Sequence, residues 1–157
     1  MPLVERTVNS ARNPRWSNYS QTQIDLEVDF DELDEVYVPF CADPNDIVSW
    51  GPDLYNRALA GEFGEIAPFE IPADITGEGA LAIIRDIRDS LLKQDVDPIV
   101  SNPLRWASMT AEKQQEWADY RQALLDMTTT QASAYVTFDT EIEDMKWVNL
   151  TIPQKPE

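Results

Sequence analysis

Between Ile24 and Asp31 the chain alternates strictly, with Ile24, Leu26, Val28 and Phe30 apolar and Asp25, Glu27, Asp29 and Asp31 acidic. A period of two places the apolar set on one face of a strand and the carboxylates on the other. Val36-Tyr37-Val38-Pro39-Phe40 follows an acidic turn and reads as a second strand, which Pro39 confines to a sheet edge or a strand end. Upstream, Arg12-Asn13-Pro14-Arg15-Trp16-Ser17-Asn18-Tyr19 has no period and is expected to be an irregular lead-in with exposed aromatics.

The pattern then changes to a helical one. Asp43-Pro44-Asn45-Asp46 predicts a helix start, with Asp43 as N-cap and Pro44 in the first turn, where its missing N–H costs nothing. This helix should run to about Ala60, stop at Gly61 and be kinked or interrupted by Gly51-Pro52. Residues 62–79 carry Gly64, Pro68, Pro72, Gly77 and Gly79, too many breakers for regular structure, so a boundary is expected there.

From Glu78 to Gln94 the residues Ala80, Ile83, Ile84, Ile87, Leu91 and Leu92 recur at helical spacing with Arg85, Asp86, Arg88 and Asp89 between them, which predicts an amphipathic helix. Asp97-Pro98 and Asn102-Pro103 punctuate the connection to a second helix. Thr110 caps that helix, Trp117, Tyr120, Leu124 and Leu125 form its stripe, and it ends at the β-branched run Thr128-Thr129-Thr130. Tyr135, Val136 and Phe138, then Trp147, Val148, Leu150 and Ile152, read as short extended segments before a polar tail.

The expected class is α+β. A small N-terminal strand pair with a helix (residues 1–72, an acidic module) precedes an αα-hairpin and short C-terminal extended segments (residues 78–157).

Composition narrows the chemistry. The chain of 157 residues has no histidine and one cysteine, so the Ser-His and Cys-His nucleophile pairs, a disulfide and a structural zinc site are not expected. A formal net charge of -17 would repel a phosphate backbone, so no nucleic-acid partner is expected. Met1-Pro2-Leu3-Val4-Glu5-Arg6 has no apolar core for a signal peptide, and no apolar run is long enough for a membrane span, so no membrane partner is expected either.

Between Ser20 and Glu78 the only basic residue is Arg57. The acidic excess there reads either as a solvated face or as a surface complementary to a basic partner. Asp25/Glu27 and Asp29/Asp31 could hold a hard cation, but carboxylates alternating with apolar residues are also what any solvent-facing strand shows. Gly61-Glu62-Phe63-Gly64 lacks the spacing of a phosphate loop and reads as a helix C-cap and turn. Cys41 reads as a small buried residue. No catalytic residues and no cofactor are assigned. Trp16 and Trp106 are expected in loops, and with Tyr19 and Arg105 they are the candidate partner-binding residues.

The segments Ile87-Arg88-Asp89-Ser90-Leu91-Leu92, Asn102-Pro103-Leu104-Arg105-Trp106 and Met109 through Asp126, with Thr110, Glu112, Trp117, Tyr120, Arg121, Gln122, Ala123 and Leu124 at their spacings, resemble the C-terminal module of phage tail fibre assembly and tail assembly chaperones. The N-terminal half is similar to modules that accompany tail fibre genes through its acidic strand, Val38-Pro39-Phe40 and Ala58-Leu59-Ala60-Gly61-Glu62-Phe63-Gly64-Glu65-Ile66. The resemblance implies a protein, not an enzyme, that helps a trimeric tail fibre fold or caps its distal end without nucleotide. The implied partner is the phage tail fibre protein, through its C-terminal region, with a homo-oligomer or copies matched to the fibre trimer left open. It implies action in the host bacterial cytoplasm during assembly and leaves retention in the virion tail open. A permanent structural subunit of the tail or fibre tip is the alternative.

Overall fold

The computed structural model describes residues 6–34 and 36–157. The N-terminal pentapeptide read above for a leader, and Glu35 of the acidic turn, lie outside the described residues. The chain is α+β and divides into two compact units, residues 1–71 with 140–143, and residues 72–139 with 144–157.

The first unit is built on an antiparallel sheet of order β1-β2-β3, with β1 Val8–Trp16, β2 Ile24–Phe30 and β3 Val38–Ala42. Central β2 keeps its alternation: Ile24, Leu26, Val28 and Phe30 are buried and the acids between them face outward. Each of these side chains contributes roughly 1.5–3 kcal/mol by leaving water.

The expected irregular lead-in is instead most of β1. Its register against β2 shifts between Val8 and Ser10 and again between Arg12 and Arg15, and Asn13 adopts a positive φ of 54° in the second shift. Such bulges interrupt the alternation that would have announced a strand. The strand forms because β2 presents an unpaired edge, and Arg12 adds a 2.6 Å ion pair to Glu27 and a cation–π contact to Tyr37.

Helix α1 spans Trp50–Leu59 and does not begin at Asp43. The Asp43 carboxylate accepts the Asn45 N–H at 2.7 Å, which closes a turn and not a helix. The helix starts where Trp50 can pack against two rings, its centroid 5.0 Å from Phe30, edge to face, and 4.6 Å from Phe40, tilted. Pro52 therefore falls in the first turn, where no intrahelical donor is needed, so Gly51-Pro52 stands at the start of the helix and not within it. Gly51 is required by close approach, since a Cβ there would lie 2.7 Å from the Asp46 side chain. The helix does stop at Gly61: the Glu62 N–H reaches Arg57 O and the Gly61 N–H reaches Ala58 O, with Gly61 at φ 82°.

In the second unit α2 spans Gly77–Leu91 and α5 spans Ala111–Leu125, and both supply residues to one core of Ile84, Val96, Ile99, Trp117, Tyr120, Leu124, Met127 and Ala134. The connection between them is itself helical. A π-turn at Leu92–Val96 leads into α3 Asp97–Val100, and α4 covers Pro103–Ala107. Asp97-Pro98 and Asn102-Pro103, read above as punctuation, are helix starts with proline in the first turn.

The Thr128–Thr130 run is also helical, within α6 Met127–Thr130, because fully buried Met127 anchors the turn and Asp126 O accepts both the Thr129 and Thr130 N–H groups. Strands β4 Tyr135–Asp139 and β5 Asp144–Val148 then pair as an antiparallel hairpin. Among the described residues no helix is long and apolar enough to cross a membrane.

Candidate functional site

The residues from Asn102 to Asp126 close each of their own joints. The Asn102 side chain accepts the Arg105 N–H at 3.1 Å and the Thr110 hydroxyl accepts the Lys113 N–H at 3.3 Å, so each helix carries its own cap. Between them the Gln114 side chain donates to Trp106 O at 2.8 Å and ties α4 to α5. The result is a rigid bend that presents Leu104, 85% exposed, and Arg105 to solvent.

Arg105 borders a recess of about 400 Å³ whose wall includes Asp95, Ile99, Met109, Lys113 and Trp117. The other wall is the tail, Lys155–Glu157. A second recess of about 570 Å³ shares the tail residues Lys155–Glu157 and is also lined by Tyr120, Asp119, Glu116 and Ala123.

The tail is pinned by side chains. Lys155 Nζ donates to Asp95 Oδ1 at 2.7 Å, and Lys113 Nζ donates to the Glu157 carbonyl at 3.2 Å. Asp95 also accepts the Tyr120 hydroxyl at 3.2 Å. The Lys155 hydrogen bond is the main reason the Asp95 carboxyl lies below its ordinary range; burial opposes the shift and Tyr120 assists it. Burial, with Asp95 adding to it, pushes the Tyr120 hydroxyl above its ordinary value.

The four expected partner-binding residues divide between the units. Trp16 and Tyr19 belong to the first and Arg105 and Trp106 to the second. Trp16 ends strand β1 and packs half-buried on the first core, and Trp106 lies in α4 and packs half-buried on the second. Neither tryptophan lies in a loop, because each ring is worth more against its core than in water. Tyr19, 45% exposed, and Arg105 remain at the surface. Reading the sequence for aromatics missed Asp95 and the tail lysine, which carry no local signal.

In the first unit Asp25, Glu27, Arg15 and Cys41 border an open groove of about 900 Å³ on the outer face of the sheet. Glu27 is engaged by Arg12 and Asn13, and Arg15 pairs with Glu70 at 2.9 Å. Among the described residues no three His, Cys, Asp or Glu side chains converge to hold a metal ion. Cys41 is exposed, which corrects the buried position expected for it: on β3 it shares the outward parity of Pro39, opposite Asp25. Partial desolvation, reinforced by Asp25, pushes its thiol above the ordinary value.

No protein family, curated protein or solved structure matches the chain.

Proposed function

We propose that this protein is a phage tail fibre assembly chaperone, which binds the C-terminal region of a trimeric tail fibre and assists its folding or caps its distal end without nucleotide. It would act in the host bacterial cytoplasm during assembly. The observation that carries the reading is local. The residues with the chaperone-like spacing, Asn102–Asp126, form one self-capped helical bend that holds Arg105 and Leu104 outward beside a recess walled by Trp117 and Met109. A rigid element with exposed apolar and cationic side chains beside a recess is suited to holding another chain. Fibre proteins rich in long-range β-pairing fold slowly and expose strand edges, so covering such surfaces is a physically sensible task.

The test is co-expression with the adjacent phage fibre gene, followed by size-exclusion chromatography and mass measurement. Soluble trimeric fibre obtained only in the presence of this protein is the expected result, and co-elution would place it on the finished fibre. Fibre that folds equally well alone, with no complex, overturns the reading.

A further inference from the structure

The tail residues Pro153-Gln154-Lys155-Pro156 have a burial period of three: both prolines are half-buried while Gln154 and Lys155 are exposed. Proline fixes its own φ and pushes the preceding residue, here Ile152 and Lys155, toward extended conformations. A left-handed polyproline helix has three residues per turn, so prolines three apart fall on one face. Here the tail carrying them runs over the surface of α5 at Tyr120 and beside Trp117, which are 4% and 5% exposed. The intervening lysine reaches sideways to Asp95. Pro156 shares the wall of one recess with Trp117, and both prolines share the wall of the other with Tyr120. Prolines beside aromatic rings, with a cation held by a flanking carboxylate, suit the recognition of proline-x-x-proline segments.

We propose that the face of α5 bearing Trp117 and Tyr120, flanked by Asp95, is a recognition groove for proline-x-x-proline segments, and that residues 153–156 occupy it as an intramolecular stand-in for such a segment of a partner. The tail is built to be exchanged. Among the described residues it forms no backbone-to-backbone hydrogen bonds, and its polar contacts run through the side chains of Lys113 and Lys155, with Lys155 52% and its partner Asp95 13% exposed. A segment tied down by two side-chain contacts and no backbone ladder belongs to the parts of a fold that open locally. The two recesses share Lys155, Pro156 and Glu157 as lining, so they would join along α5 when the tail leaves. A partner segment must carry two prolines three residues apart with Lys or Arg just before the second, because Asp95 would otherwise be left beside Tyr120 without its cation.

The full chain carries the test. A fluorescein-labelled peptide with the sequence of residues 151–157 is titrated by anisotropy against the wild type, the Pro153→Ala/Pro156→Ala variant and, separately, Lys155→Glu. Releasing the resident tail should tighten peptide binding about tenfold or more in both variants, because the wild type is binding-competent only in its open fraction. Adding Asp95→Asn to the double variant should remove most of that gain, and a peptide with alanine in place of both prolines should not bind. Lys155→Glu changes one exposed side chain and carries the measurement should the double variant fail to fold by circular dichroism. No binding to either variant at about millimolar protein, or equal binding of the alanine peptide, overturns the proposal, since such contacts should give at least a millimolar dissociation constant. A concentration-dependent dimer of the wild type that the double variant lacks would also overturn it, by giving the groove to a second copy's tail.

Discussion

Lys155 Nζ lies 2.7 Å from Asp95 Oδ1 across sixty positions of sequence, and the same carboxylate accepts the Tyr120 hydroxyl. One acidic side chain in the π-turn thereby joins the tail, α5 and the connection between the long helices.

That junction should be sensitive to acid. Asp95 is depressed below its ordinary value of 3.8 in the folded chain, so its stabilising effect is fully present above that value and is lost as pH falls through the lower, folded one. The Lys155 ε-methylene and Trp117 indole resonances should shift together in a transition below pH 3.8, before the core unfolds. Resonances of these groups that stay fixed until global unfolding would show that the pair does not hold the tail.

Gly61 ends α1 in a left-handed conformation with open space where a Cβ would be. Gly61→Ala should therefore cost about 1 kcal/mol through backbone strain alone. Urea denaturation should show a lowered midpoint with an unchanged m-value. A midpoint equal to that of the wild type would mean that the cap relaxes without loss.

Met127 and Thr129 are two residues apart in α6, yet only Met127 is buried. Met127→Ala should destabilise the second unit by about 2–5 kcal/mol, while Thr129→Ala should stay within about 0.5 kcal/mol of the wild type. Thermal unfolding of both variants checks this. Comparable losses would mean that the threonine run, and not its anchor, holds the turn.

Cys41 is exposed but its thiol is harder to ionise than usual. Iodoacetamide should alkylate the folded protein more slowly than the urea-unfolded chain at pH 8, because only the thiolate reacts. Asp25→Asn should raise the folded-state rate, since the Asp25 carboxylate is among the groups that oppose thiolate formation. A rate unchanged by Asp25→Asn would leave desolvation and the Asp43 charge as the causes.

Strand β2, the stripes of α2 and α5 and the stop at Gly61 were legible because each rests on spacing or backbone chemistry within a few residues. Trp16 and Trp106 were visible as aromatics, but their place against the two cores was not, because burial depends on what folds beside them. Tyr19 and Arg105 keep the exposure expected of them.

By itself the sequence determined the mixed class, the alternating strand, the two long helices and an acidic chain without histidine, all of which follow from local periodicity and composition. Only the tertiary structure decided that Asn13 bulges a polar strand onto β2, that α1 begins at Trp50, that the threonine run is helical, and that Lys155 meets Asp95. Each of these depends on a partner outside the element itself: an unpaired strand edge, an edge-to-face aromatic contact, a core pocket for Met127, a carboxylate sixty residues away. The periodicity of an element carries no record of the partner it meets.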